Sequence, residues 1–518
     1  MTSPPPLPPR RRRIIRPVRG DLIAGISVAM VLIPQSLAYA ELAGLPPVHG
    51  LYAAAAAPIA AALIGSSPYL QTGPVALTSL LTLGALAPLA ATGSATFAGY
   101  AAILAVLVGV ARVLLGALRW GALAYFMSIP VVSGFTVAAA VLIIASQVPH
   151  LVDAPSVSDS PTRAAADALS HPDRWSATTI LVGVAVILIV LVGRRMSALV
   201  PWVLVATVIP LVASQAGALD VTVVGAIPAG LPDLSLDLPW SATPDLIVPA
   251  LLIALVGFAE PASIARRYAI TDRQAWNPHR EFIGQGLANL AAGVAGGYPT
   301  GGSFSRSALN RLCGAKTRWS GAVTGATVIA VLPFADVLAE LPVAVLAGLV
   351  IVAAISLVDL RPFGEYWRNS RPQFLVAVPT AVATLAFAPR IERGLLVGIA
   401  LAFAVHLWRE MRIDLTTRRA GPTLHVHPEG VLYFASAPML DTRLTALLAE
   451  HPDITRVVLD VHRLGRLDLT GLMALRGFAE HARGFGVEVE VHNVPEHARA
   501  RAHRVLDPVC RLVTTEPD

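Results

Sequence analysis

Charged residues are scarce in this chain. Only 14% of its 518 residues are Asp, Glu, Lys or Arg, against 55% hydrophobic, which excludes an ordinary soluble enzyme and leaves a polytopic membrane protein. Cysteine is nearly missing: Cys313 and Cys510 offer no disulfide framework and no metal-ligand spacing, and both fall on the side read below as cytoplasmic, where thiols stay reduced. No HExxH, GxSxG or Walker sequence occurs, and the histidines are scattered, mostly toward the C-terminus. Nothing therefore points to an enzyme, a cofactor or ATP-driven transport. The net charge of +6 comes from short arginine clusters between apolar spans, so it reads as a membrane orientation signal and not as a nucleic-acid face. Little lysine and much Ala and Arg suggest a bacterial chain.

What is present is a series of apolar stretches. Residues 1–20 form a proline- and arginine-rich tail, expected to be cytoplasmic and disordered. Stretches of spanning length follow at about 21–40, 48–65, 97–118, 122–147, 177–193, 197–214, 244–262, 281–297, 318–335, 341–358, 373–388 and 392–408. Two interrupted stretches, near 72–91 and 302–312, bring the expectation to fourteen, arranged as seven plus seven. Charge supports that count. With the N-terminus inside, the segments holding Arg112 and Arg119, Arg194 and Arg195, Arg266 to Arg280, Arg311 to Arg318, Arg361 to Arg371 and Arg409 onward all fall on the cytoplasmic side. The loops 148–176 and 215–243 are acidic and expected outside, the short loop with Arg390, Glu392 and Arg393 being the exception. An even number of spans returns the C-terminus to the cytoplasm.

The interrupted stretches carry the candidate chemistry. From Gly296 to Asn310 the chain is polar and glycine-rich, so the backbone is expected to unwind and then start a short helix near Ser303 whose free N–H groups attract an anion. Arg306 in the first turn opposes the helix dipole, and a bound anion would explain it. Upstream, Gln71-Thr72-Gly73-Pro74 precedes a second fresh helix, with Pro74 expected at its first position. Two half-helices meeting near the bilayer midplane are a transporter signature, and two re-entrant loops or glycine kinks are the plainer alternative.

Polar groups inside other spans are costly and ask for a reason. Gln35 and Tyr39 are four apart and can face one cavity, or simply pack between helices. Glu260, before Pro261 and about two turns before Arg266, could carry a proton or coordinate sodium with backbone oxygens; an ion pair made for structure alone is the alternative. Glu41, near a span end, reads equally as an interfacial anchor or a coupling residue.

The soluble part begins at about residue 421, after a linker at 411–420, and the membrane domain covers 21–410. Strands are expected at 424–427, 431–435, 457–461 and 487–491, and helices at 438–450, 470–484 and 495–506, with Thr470 a candidate cap. That is a small α/β domain.

Several separated motifs resemble one family. Pro34-Gln35-Ser36-Leu37-Ala38-Tyr39-Ala40, Leu42-Ala43-Gly44-Leu45-Pro46-Pro47 with Gly50-Leu51-Tyr52, Pro130-Val131-Val132-Ser133-Gly134-Phe135-Thr136 and Ser303-Phe304-Ser305-Arg306-Ser307 are similar to the sulfate permease anion transporters, and the last hundred residues resemble their STAS domain. The resemblance implies a polytopic α-helical fold of 14 transmembrane segments, built as a 7+7 inverted repeat of core and gate domains, often dimeric and moving like an elevator. It implies substrate binding by Gln35, Tyr39, Val75, Ala76, Ser305 and Arg306, with backbone N–H groups of Ala76 and Ser305 on the anion, and cation coupling at Glu260, to which Glu41 is added from the reading above. The implied function is secondary active transport of sulfate, bicarbonate or a dicarboxylate with a co-transported proton or sodium. Exchange, a channel-like leak, or a membrane-anchored signalling scaffold that holds a cytoplasmic partner through the STAS domain are the alternatives. Where anti-sigma antagonists carry a phosphorylated serine, this chain has Leu469, which argues against switching by phosphorylation there.

Overall fold

The computed structural model describes residues 16–120, 128–154, 158, 160–197 and 200–514. Most of the expected tail and the start of the stretch at 122–147 lie outside these residues. The chain forms two compact units that divide between Ile399 and Ala400.

In the first unit the helices are α1 (Arg19–Leu42), α2 (Val48–Ile64), α3 (Ala76–Leu86), α4 (Ala95–Ala117), α5 (Ile129–Val152), α6 (Pro161–Ser170), α7 (Ala177–Met196) and α8 (Trp202–Gln215). They continue as α9 (Thr243–Thr271), α10 (Pro278–Val294), α11 (Phe304–Leu312), α12 (Trp319–Val331), α13 (Val343–Ile355), α14 (Arg361–Asn369) and α15 (Arg371–Ala386), and α16 (Ile391–Glu410) runs across the division between the units. A helix lies in each of the fourteen expected stretches, and seven helical stretches among the described residues are long and apolar enough to cross a membrane. The packing partners come in matched pairs. Helix α1 packs on α12 as α9 packs on α4; α2 packs on α12 as α10 packs on α4; α5 packs on α15 as α13 packs on α7.

Helices α3 and α11 are short because the chain before each is extended. There β1 (Thr72–Gly73) and β2 (Gly301–Gly302) pair antiparallel, Thr72 opposite Gly302 and Gly73 opposite Gly301. Irregular backbone survives inside an apolar body only where its polar groups are satisfied, and amides and hydroxyls from the flanking helices do this. Asn289 on α10 donates to the Thr300 carbonyl at 3.2 Å and accepts from the Thr300 N–H at 2.9 Å, while Gln285 donates to Thr72 Oγ1 at 2.7 Å. Gln71, fully buried, takes Ser303 N–H on its carbonyl, gives its own N–H to Ser307 Oγ and reaches Ser320 and Thr324 on α12. Gly302 allows the close approach: a Cβ there would stand 2.8 Å from Leu70 Cδ1.

Arg112 corrects one expectation. It belongs to no cytoplasmic loop but lies in α4, wholly buried, donating to the carbonyls of Ala254 and Ile253 on α9 at 3.1 Å each and of Thr300 at 3.0 Å. Its guanidinium fork satisfies three carbonyls at once, and Gly257 makes room, since a Cβ there would sit 2.6 Å from Arg112 Nη2.

In the second unit the strands β3 (Asp414–Ala420), β4 (Thr423–Leu432), β5 (Arg456–Asp460), β6 (Leu464–Leu467), β7 (Glu488–His492) and β8 (Arg511–Val513) form a sheet of order β3-β4-β5-β7-β8, with β6 beside β4. All neighbours are parallel except the β3–β4 hairpin. Helices α17 (Ala437–Glu450), α18 (Leu469–Gly484) and α19 (Glu496–Leu506) complete it, and Val426, Leu459, Leu472 and Val491 are part of its apolar core. Three expectations change here. Residues 414–420 of the expected linker are edge strand β3, whose residues are exposed or half-exposed and so lack the alternation that marks a buried strand. The strands expected at 424–427 and 431–435 are one, running through a register shift at Gly430, whose φ of 128° a bulge of this kind favours. The α18 cap is Asp468, which accepts from Gly471 N–H at 2.9 Å, and not Thr470.

Candidate functional site

A cavity of about 910 Å³ is lined by both half-helix starts and by helices α1, α7, α9 and α13. Toward the C-terminal ends of α9 and α11 its walls are Arg267, Tyr268, Thr271, Arg311 and Leu312; toward the half-helix starts they are Val75, Ala76, Leu77, Ser303, Phe304 and Ser305. Arg194, Arg267 and Arg311 line it with a single carboxylate, Glu260, so its fixed charge favours an anion.

The two helix starts are built differently. At α11, Ser303 is the N-cap and accepts from Arg306 N–H, while Glu260 Oε1 accepts from Phe304 N–H at 3.4 Å. The protein's own carboxylate thus occupies part of the anion-attracting end. At α3, Val75 is the N-cap, extended at φ −143° and ψ 148°, and no side chain caps the helix. Pro74 stands before that cap and not in the first helical position, because the chain stays extended through Val75. Among the described residues the N–H groups of Ala76, Leu77 and Ser305 have no protein acceptor, and all three residues line the cavity.

Gln35 and Tyr39 both line the cavity, on one face of α1 as their spacing predicts. Gln35 Oε1 accepts from Arg306 Nη1 at 3.3 Å, which leaves its amide N–H groups for the cavity, and the Tyr39 hydroxyl has no hydrogen-bond partner among the described residues. Arg306 is brought to the site but not into the cavity wall. It is 1% exposed, and Nη2 donates to the Pro74 carbonyl at 2.8 Å. Its guanidinium therefore links α1 to the approach of α3 from beneath α11, and its Nε, buried, has no partner. A protein contact thus supplies the reason for a cation in the first turn of α11. Glu41, half-buried at the end of α1, does not line the cavity.

Several site residues lay beyond the sequence reading. In the sequence Arg194 and Arg311 read only as orientation charges, and Arg267 as one of these or, with Arg266, as an ion-pair partner for Glu260; Arg311 pairs with Asp272 at 2.5 Å and lies over the rings of Tyr69 and Tyr268 at 5.5 and 5.2 Å. Gln285 and Asn289 are also four apart in an apolar span, the same signal that selected Gln35 and Tyr39.

The sequence matches the sulfate permease family over residues 18–380 and the Mlab, STAS domain over residues 415–505. It is 32% identical over 522 residues to a probable sulfate transporter of Mycobacterium tuberculosis, covering 95% of this chain and 92% of that protein. It is 31% identical over 513 residues to probable sulfate transporter 4.2 of Arabidopsis thaliana, covering 91% and 76%. In fold it is similar to the murine anion transporter Slc26a9 in an inward-facing state, with a TM-score of 0.86, 19% identity, and 97% and 91% coverage. The transmembrane domain of a cyanobacterial bicarbonate transporter superposes with a TM-score of 0.62 at 23% identity, covering 74% of this chain and 97% of that one.

Proposed function

The chain belongs to the sulfate permease family, and from that premise we propose that it is a secondary active transporter of small oxyanions, sulfate foremost, coupled to a co-transported proton or sodium ion. It is a membrane transporter and not an enzyme. One observation carries the reading: two half-helix starts and a single carboxylate face one cavity whose other charges are arginines. The anion sits at the α3 start on the N–H groups of Ala76 and Leu77, with Ser305 N–H, Gln35 and Tyr39 around it; unengaged N–H groups at two helix ends select for sign and size. Arg306 acts from behind the wall, holding the Pro74 carbonyl so that α3 begins where it does. Glu260 is the coupling group. When a proton or sodium neutralises it, the second helix end stops repelling the substrate, so anion and cation bind together.

The matched packing pairs support a 7+7 inverted repeat. One set is a core of α1 to α4 with α9 to α12, and the other a gate of α5, α7, α8, α13, α15 and α16; the core carries the anion past the gate. Both termini and the STAS unit are cytoplasmic in this topology, which makes the cavity inward-open, because it runs toward the C-terminal ends of α9 and α11. The STAS domain serves homodimer assembly or a cytoplasmic partner.

The test is uptake of labelled sulfate, bicarbonate and fumarate into proteoliposomes, each with and without an inward proton or sodium gradient. Gradient-driven accumulation of one anion is expected. If none accumulates and internal counter-anion accelerates entry, the protein is an exchanger and Glu260 loses its assigned role.

A further inference from the structure

The sheet of the second unit gathers imidazoles around one carboxylate. Strands β4, β5 and β7 run parallel, so one residue past the Val426–Leu459 pair His427 stands beside Asp460, the last residue of β5. The chain then turns back, and His462 points its ring at the same carboxylate, Nδ1 lying 2.8 Å from Asp460 Oδ1. His427 Nδ1 lies 3.8 Å from Oδ2, the other oxygen. The three ligand atoms fall within 4.8 Å of one another. Asn493, just past β7, donates to both Asp460 oxygens at 3.2 Å. His492 is Asp460's partner in the sheet register but pairs with Glu490 at 3.0 Å and stays outside the group.

We propose that His427, Asp460 and His462 bind one divalent transition cation, with Zn²⁺ the best fit. An exposed ion pair needs one imidazole; here two imidazoles, from a strand and from a turn, converge on one carboxylate. That carboxylate is also oriented by an amide, the kind of support that fixes a metal-ligating group. Two nitrogens and one oxygen suit Zn²⁺ and not the hard cations Ca²⁺ and Mg²⁺, which take oxygen sets. Three protein ligands leave the fourth tetrahedral position to water. Zinc bonds of about 2.0–2.2 Å set ligand atoms roughly 3.3 Å apart, so the 2.8 Å contact of His462 Nδ1 with Oδ1 opens by about 0.5 Å, and His427, now 3.8 Å from Oδ2, turns toward the same ligating oxygen. The side chains of His427 and His462 are 31% and 48% exposed, so rotation without movement of the sheet suffices. On binding, the metal takes the place of the hydrogen between His462 Nδ1 and Asp460 Oδ1, and the neutral imidazole carries its one proton on Nε2. The site would cross-link β4 to the turn after β5.

The experiment uses the full chain in detergent, stripped with chelator and passed through size exclusion. Zn²⁺ is titrated in competition with a chromophoric chelator, and Co²⁺ is added separately to read coordination from its visible bands. The wild type is expected to take up one equivalent of Zn²⁺ with micromolar or tighter affinity and to give the intense bands of tetrahedral Co²⁺. His462→Ala and His427→Ala should each weaken that equivalent at least tenfold, while His451→Ala, on the same unit but outside the group, should leave it unchanged. His462 lies in an exposed turn, so its variant stays informative if His427→Ala misfolds. Absence of a micromolar equivalent in the wild type, or the same affinity in His462→Ala, overturns the site.

Discussion

The two half-helices that meet across the β1–β2 pair begin in opposite ways. Helix α11 starts with two of its first N–H groups already engaged, by Ser303 on Arg306 and by Glu260 on Phe304, and, among the described residues, only that of Ser305 free. Helix α3 starts bare, behind a valine that offers no acceptor. A helix end is a fixed positive partial charge, and the difference decides which end is free for a substrate and which one the protein can fill or empty itself. On this account α3 is the constant part of the anion site and α11 the adjustable part, with Glu260 as the group that adjusts it.

The comparison breaks most completely if α3 is given a cap. Val75→Asp places a carboxylate on the bare end, and substrate affinity should fall by about 100-fold or more, ~2.7 kcal/mol, read as the concentration dependence of uptake. Val75→Ser supplies a neutral acceptor and should land between that variant and the wild type; equal affinity in all three would mean the anion does not use this end. Next is Arg306→Ala, which frees the Pro74 carbonyl and Gln35. Losing two charge-assisted hydrogen bonds should lower the uptake rate on the order of tenfold to 100-fold in protein that still elutes as a single species, because α3 is no longer held in place. The smallest effect belongs to Ser303→Ala. It removes one cap from a helix end that keeps Glu260, costing about 1 kcal/mol of local stability, so thermal unfolding should shift slightly and uptake only a few-fold.

The sequence made the helices legible because a span is a long-range compositional signal, and the half-helices legible because glycine and proline clusters are rare inside spans. The start of α11 near Ser303 and the shared face of Gln35 and Tyr39 followed from local spacing. Arg112 was misread for a physical reason. Near the end of a span a buried arginine and an orienting one look alike, and only the three carbonyls offered by α9 and Thr300 distinguish them. Arg306 was recognised as unusual, but its partner, the Pro74 carbonyl, is 232 residues away and has no sequence signature. The same holds for Glu260, whose position at the start of α11 depends on how two distant helices pack. Strand β3 escaped because an exposed edge strand carries no apolar alternation.

The central claim is that Glu260 couples the cation to the anion by filling or releasing the α11 end. Its most direct test is sulfate accumulation in proteoliposomes under an imposed inward proton or sodium gradient, comparing the wild type with Glu260→Gln. The glutamine keeps an oxygen for Phe304 N–H but carries no charge to neutralise. The account predicts that the wild type accumulates sulfate with the gradient, whereas Glu260→Gln lets sulfate equilibrate at the same rate with or without it. Gradient-driven accumulation by Glu260→Gln at the wild-type level would contradict the account.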